Sequence, residues 1–328
     1  MPTTQQTPAK IPRPQREGHG RVSVPAAREQ LSGVQRARIV SATIDVVAEQ
    51  GVVNASVAHI VARSSVSRRT FYEIFADRDD CFLAAFDDAI ALASRRVGEA
   101  YDPKAKWAAN IRASLIALLR FLEDEPLIAR LMIVESLSMG PKVLHHRSQA
   151  LTRTMTFLDG GRHETDSQDG PPPLTAEGVV GAVLSILYAR LSQASTGQLM
   201  ELTNQLTSTM VLPYLGVAAS RRELTRPVPE HKSNPSTPLG TSDPLRELGM
   251  RITYRTILVL NAIANSPGSS NRTIGELAGI ADQGQVSKLL RRLAGYGLIQ
   301  TTGDAATRGE PNAWTLTPHG RSIVQMVG

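Results

Sequence analysis

Cysteine is almost missing from this chain. Cys81 stands alone, so no disulfide can form within the chain, and the composition suits a reducing compartment. Aromatic residues make up only 4% of the sequence, which argues against an aromatic-rich β-sandwich or a sugar-binding cleft. No stretch approaches the roughly 18 unbroken apolar residues of a membrane span, and the N-terminus lacks the apolar core of a signal peptide. A cytoplasmic location is the expectation. The patterns HExxH, GxSxG, GxGxxG and the P-loop are all absent, so no catalytic constellation and no cofactor are expected. His145 and His146 are adjacent in sequence. Neighbours on a helix do not share a face, and no Cys or carboxylate stands at ligand spacing, so no metal site is expected.

What remains is a 328-residue chain with 41% hydrophobic and 20% charged residues, long enough for two or three domains. The net charge of +6 is unevenly spread. Residues 1–100 carry +2, residues 101–216 carry −1, residues 217–243 carry +1 and residues 244–328 carry +4. A basic excess at both ends around a near-neutral middle suits two ends that face nucleic acid; ordinary surface variation has the same appearance.

Residues 1–30 are Pro-rich, polar and basic, the composition of a disordered arm. Residues 33–50 have helical periodicity, with Gly51 as its stop. Ser56 is placed to cap a short helix running to Arg63, Ser67 to cap another from Arg68 to Phe75, and Asp77 to cap a fourth that reaches about Gly98. Between the second and third helices lies the tight turn Ser64-Ser65-Val66. A helix-turn-helix needs a bracing helix, such a turn, and a second helix whose start offers small and basic residues to the major groove. Val57, Ile60, Val61, Val66, Phe71 and Phe75 can form its small core, and Ser67, Arg68 and Arg69 stand at the start of the second helix.

The run SVAHIVARSSVSRRTFYEIFADRDD, at the right distance from the helix that Gly51 closes, resembles the signature of the TetR family of bacterial regulators. The resemblance is specific over about residues 35–82 and looser through Gly216. It implies a DNA-binding transcriptional regulator. Ser56, Tyr72 and Arg78 fall at phosphate-contacting positions, and Ser67, Arg68, Arg69 and Thr70 at the groove-facing start of the recognition helix. Glu73 is placed to add a contact or to discourage some sequences. Two positions depart from the family. Ser65 stands where glycine is usual, which implies a strained or reshaped turn. Val47 stands where a large aromatic is common.

From Pro103 to Gly216 the pattern is helical almost throughout, with Trp107, Ile111, Leu115, Leu118 and Leu122 in one stripe. The resemblance implies a ligand pocket here and a four-helix dimer seam from the last two helices. Trp107, Met132, Met139, Met155, Phe157 and Tyr188 are candidates to line an apolar cavity, or are simply core. Ile186, Leu187, Leu191, Leu199, Leu202 and Leu206 are the candidate seam, with core packing as the alternative. Residues 225–243 form a linker without an apolar run.

Residues 250–320 resemble a MarR-like winged helix, on TIGELAGIADQGQVSKLLRRLAGYGLIQ followed by RGEPNAWTLTPHG. Val286, Leu289, Leu290 and Leu293 face inward, leaving Gln283, Gln285, Ser287, Lys288, Arg291 and Arg292 outward, with Arg308 at the wing tip. Such a module contacts DNA or a protein partner. The expected fold is mainly α. A disordered arm (1–30) precedes a helix-turn-helix domain (31–80) and a helical ligand-sensing and dimerisation domain (81–216). A linker (217–243) and a winged helix with a small β-hairpin (244–328) follow. The expected function is that of a ligand-responsive dimeric repressor on a palindromic operator, with a small apolar ligand. The alternative is a regulator without a small ligand whose winged helix binds protein.

Overall fold

Caps and breakers set most of the helix ends. A computed structural model describes residues 24–165, 170–193, 199–230, 253–301 and 313–327. They divide between one unit within Ser32–Arg251 and a second drawn from Met1–Leu31 and Ile252–Gly328. Helix α1 (Val24–Asn54) breaks at Gly51, whose φ of 73° suits a residue without Cβ. It begins before the expected residue 33, so residues 24–30 are helical rather than part of a disordered arm. Pro25 is tolerated because it lies in the first turn, and Ala27 is fully buried. The remainder of the expected arm, residues 1–23, lies outside the described residues.

Three capped helices follow. Ser56 opens α2 (Val57–Ser64), Ser67 opens α3 (Arg68–Ile74), and Asp77 opens α4 (Arg78–Glu99). Each cap side chain accepts the backbone N–H three residues on, at 3.3, 3.1 and 2.7 Å respectively. Ile60 and Phe71 are fully buried between these helices. Cys81 is buried beside the Thr43 hydroxyl at 3.0 Å, and burial pushes its thiol up to about 12. It is a protonated core thiol at neutral pH.

The rest of this unit is α5 (Trp107–Asp124), α6 (Pro126–Ile133), α7 (Pro141–Asp159), α8 (Thr175–Ser192) and α9 (Thr203–Leu224). α5 runs through the middle, against α4, α6 and α9. α9 turns back at Gly216, where φ is 74°. The two limbs then lie antiparallel. The Ser208 and Ser220 hydroxyls meet at 2.7 Å, and Asn204 Nδ2 donates to the carbonyls of Leu224 at 3.2 Å and Arg226 at 2.9 Å. Residues 217–224 are therefore helical and not linker. The physical reason is a buried ion pair: Arg112 Nη1 donates to Glu223 Oε2 at 3.1 Å, with the side chains 5% and 10% exposed. Arg112 Nη2 also donates to Asn204 Oδ1 at 2.9 Å and to the Pro227 carbonyl at 3.1 Å.

In the second unit, α10 (Tyr254–Asn265), α11 (Asn271–Ala278) and α12 (Gln283–Gly295) precede strands β1 (Ile299–Thr301) and β2 (Trp314–Leu316). The strands are antiparallel, with Gln300 opposite Thr315. Trp314 Nε1 donates to Asn271 Oδ1 at 2.6 Å, fixing β2 to the start of α11. Helix α13 (Pro318–Val327) completes the unit. It was not expected from the Thr-rich tail, but Pro318 opens it and Ile323 is buried. The opening of α1 joins this unit: Asn261 Nδ2 donates to Gln30 Oε1 at 3.1 Å, and Arg28 lies 5.8 Å from the Tyr254 ring centroid.

Candidate nucleic-acid interface

The turn between α2 and α3 is made by Ser65 at φ 54°, a left-handed conformation that a side chain adopts at a cost. The turn keeps its shape and accepts the strain. It brings α3 out with its first residues in solvent. Arg68 and Arg69 are exposed, and each is matched by a partner one turn on. Arg68 sits 5.9 Å from the Tyr72 ring centroid, and Arg69 Nε donates to Glu73 Oε1 at 2.9 Å. Tyr72 is 49% exposed and meets Phe71 edge-on at 5.4 Å. The basic and aromatic groups of α3 therefore share an open surface above a fixed aromatic base.

Other residues read as DNA contacts have local work. Ser56 and Ser67 are caps, and the Thr70 hydroxyl meets Ser67 Oγ at 2.8 Å. Arg78 is partly drawn inward: Nη1 donates to the Ala55 carbonyl at 3.2 Å, and the guanidinium lies 5.1 Å from the Phe82 ring centroid. Two ion pairs that the sequence did not disclose hold the head in shape. Arg63 donates to Glu49 at 2.7 Å, tying α2 to α1. Arg36 grips Asp88 with bonds of 2.8 and 3.1 Å, tying α1 to α4. The partners are 14 and 52 residues apart, beyond any local spacing rule.

On α12, Gln283, Gln285, Lys288, Arg291 and Arg292 are exposed and Ser287 is half-buried. Some are engaged within the unit. Arg255 Nη1 donates to Gln285 Oε1 at 2.9 Å, and Asn271 Nδ2 donates to Ser287 Oγ at 3.2 Å. Arg292 lies 6.0 Å from the Tyr296 ring centroid. The Asp282 carboxylate caps the helix by accepting from Gln285 N at 3.1 Å and Gly284 N at 2.8 Å. Those bonds, that to Gln285 first, hold its pKa below the usual carboxylate range. Arg308 lies outside the described residues.

The six residues taken as ligand candidates fall in different places. Trp107 and Met155 belong to a cluster with Tyr214, Met132 and Met139 to the main core, and Tyr188 is 42% exposed. Phe157 is also exposed and pairs with Tyr101 at 6.1 Å. A cleft of about 1200 Å³ lies elsewhere, bordered by Lys106, His163, Leu212, Tyr214, Arg222 and others. None of the six lines it. The proposed seam is likewise corrected. Leu187, Leu191, Leu199 and Leu206 are each 1% exposed in the unit's own core, and Leu202 is half-buried. Only Ile186 faces outward, at 37% exposed. The apolar periodicity marked the inward face of these helices. As for His146, its Nδ1 lies 2.9 Å from Asp87 Oδ1, joining α7 to α4.

Residues 39–85 match bacterial regulatory proteins of the tetR family, and this segment is a TetR-type helix-turn-helix. Among curated proteins, none matches the chain in sequence. Solved structures resemble it remotely. The fatty acid degradation regulator FadR from Bacillus halodurans is 15% identical with a TM-score of 0.49, covering 54% of this chain and 94% of its own. FadR from Bacillus subtilis, solved with stearoyl-CoA, is 18% identical with a TM-score of 0.48, over 55% and 98% of the two chains. A tetR-family regulatory protein from Rhodococcus RHA1 is 14% identical with a TM-score of 0.47, over 56% and 98%. No helix among the described residues is long and apolar enough to cross a membrane.

Proposed function

We propose that this protein is a transcriptional regulator that binds double-stranded DNA through α3. The observation that carries this reading is the open start of α3, with Arg68 exposed over Tyr72 and Arg69 exposed beside Glu73, inside the segment that matches the tetR family. A short helix entering the major groove by its N-terminus presents these groups to base edges and phosphates. Selection from random duplexes, followed by anisotropy titration, tests it. Arg69→Ala and Tyr72→Phe should weaken binding while circular dichroism stays that of the parent. Parent-like affinity in both variants would refute the assignment.

The regulator acts as a homodimer on a two-fold operator, in the repressor mode, and a small molecule bound within residues 101–216 alters its DNA affinity. Pairing gives each half-site a head and multiplies affinity. The outward face of α8 and α9 supports a seam there: Ile186, Tyr188 and Leu212 are exposed apolar side chains, and Gly178, Gly181, Ala182 and Ala189 on the same helices are small and exposed. Light scattering on Ile186→Arg with Leu212→Arg should show a folded monomer, whereas Leu187→Arg should disrupt the fold. The second unit is proposed as a winged helix. Its exposed Gln283, Lys288, Arg291 and Arg292 favour DNA phosphate contact over a protein partner.

A further inference from the structure

α3 carries an exposed carboxylate, Glu73, one turn after Arg69, and a carboxylate, which phosphate repels, needs a reason on a helix proposed to enter DNA. Glu73 is 55% exposed and Arg69 is 89% exposed, so burial did not force them together. An exposed pair of this kind contributes little to stability. Its consequence is directional. Arginine carries five donors in one plane, one on Nε and four on the two terminal nitrogens. The bond at 2.9 Å occupies Nε. Nothing else bonds the guanidinium of Arg69 among the described residues. The two terminal nitrogens therefore form the free edge, an end-on fork that matches O6 and N7 of guanine. Arg68 differs: it is held by the face of the Tyr72 ring, which leaves all five donors available to phosphates.

We infer that Glu73 is a positioning residue that fixes Arg69 to read one guanine in each half-site, while Arg68 is the sequence-indifferent contact. This rests on the DNA-binding reading of α3. Holding the fork before contact lowers the cost of ordering a long side chain, and the carboxylate discourages the fork from turning to phosphate. A similar i,i+4 pair on α11, where Arg272 Nε donates to Glu276 Oε1 at 3.1 Å, provides an internal control.

The test uses the full chain, selection from random duplexes, and competition between the selected site and one with the guanine pair replaced by A·T. The parent should enrich one G·C pair in each half-site. Arg69→Lys should lower the preference for it by about tenfold, the scale of a lost bidentate contact. Glu73→Ala should lower it several-fold and leave binding to random duplex at least as tight. Glu73→Gln, whose amide oxygen still accepts from Nε, should restore the preference. Glu276→Ala should change nothing. If the parent enriches sites but Glu73→Ala keeps every preference, or Glu73→Gln is as defective as Glu73→Ala, the inference alone is overturned. If the parent enriches no sequence, the DNA reading falls with it.

Discussion

Two helix pairs in this protein solve one backbone problem with different residues. In α2–α3 and α11–α12 the first helix is eight residues long, is opened by a serine cap, and ends on a residue in the left-handed region. That residue is Ser65 at φ 54° in the first pair and Gly279 at φ 66° in the second. The second pair thus meets its turn without strain, and its α12 polar groups are partly tied to their neighbours through Arg255–Gln285 and Asn271–Ser287. The first pair tolerates strain and leaves Arg68 and Arg69 engaged only along α3 itself. Backbone strain clusters at working surfaces, so the contrast is the one expected if α3 reads bases and α12 has the supporting, electrostatic role proposed for it.

The largest effect that sharpens this contrast is on DNA affinity. Arg68→Ala with Arg69→Ala should cost about 1–3 kcal/mol for each lost contact and erase sequence preference. Lys288→Ala with Arg291→Ala and Arg292→Ala should leave the preference intact. It should flatten the salt dependence by about 0.9 unit of slope per lost phosphate contact. Anisotropy titrations at several salt concentrations distinguish the two, and equal loss of preference in both variants would dissolve the contrast.

Smaller effects test the turns. Ser65→Gly should stabilise the first unit by about 1 kcal/mol, and Gly279→Ser should destabilise the second by a similar amount. Urea unfolding measures both; a destabilising Ser65→Gly would mean the turn is not strained. The smallest effect is at Asp282. Its folded-state pKa is depressed, chiefly by the bond from Gln285 N, so its contribution is present above the unfolded-state value and is lost as pH falls through the folded-state one. The melting-temperature advantage of the parent over Asp282→Ala should accordingly hold at neutral pH and shrink in acid. An advantage constant down to pH about 3 would assign it to something other than the charged cap.

The head was legible because its signals are local. Ser56, Ser67 and Asp77 are caps that a sequence displays directly, and the turn needs only Ser65 to adopt one conformation. The seam was misread for a physical reason. A stripe such as Leu187, Leu191 and Leu206 shows that a face is buried, without saying whether its own core or a second chain buries it. The outward face of α8 is small and mixed, a weaker signal. Where the cavity candidates pack was not legible, because Trp107 and Met139 are both apolar yet join different clusters, a property of tertiary contacts alone. α13 went unseen because its helical pattern begins only at Pro318, after Thr-rich strand residues.

The Arg112–Glu223 pair bears on how the chain is made. The two residues are 111 apart, so during synthesis the guanidinium emerges long before its carboxylate. Until residues 217–224 have left the ribosome and folded back on α9, Arg112 has no charge to meet in the interior it must enter. Removing one partner of a buried pair costs about 3–5 kcal/mol. The helical unit is therefore sealed from its C-terminal side, and last. A chain ended at Gly216, the boundary that sequence pattern alone proposes, should melt far below the full chain, whereas one ended at Glu230 should match it.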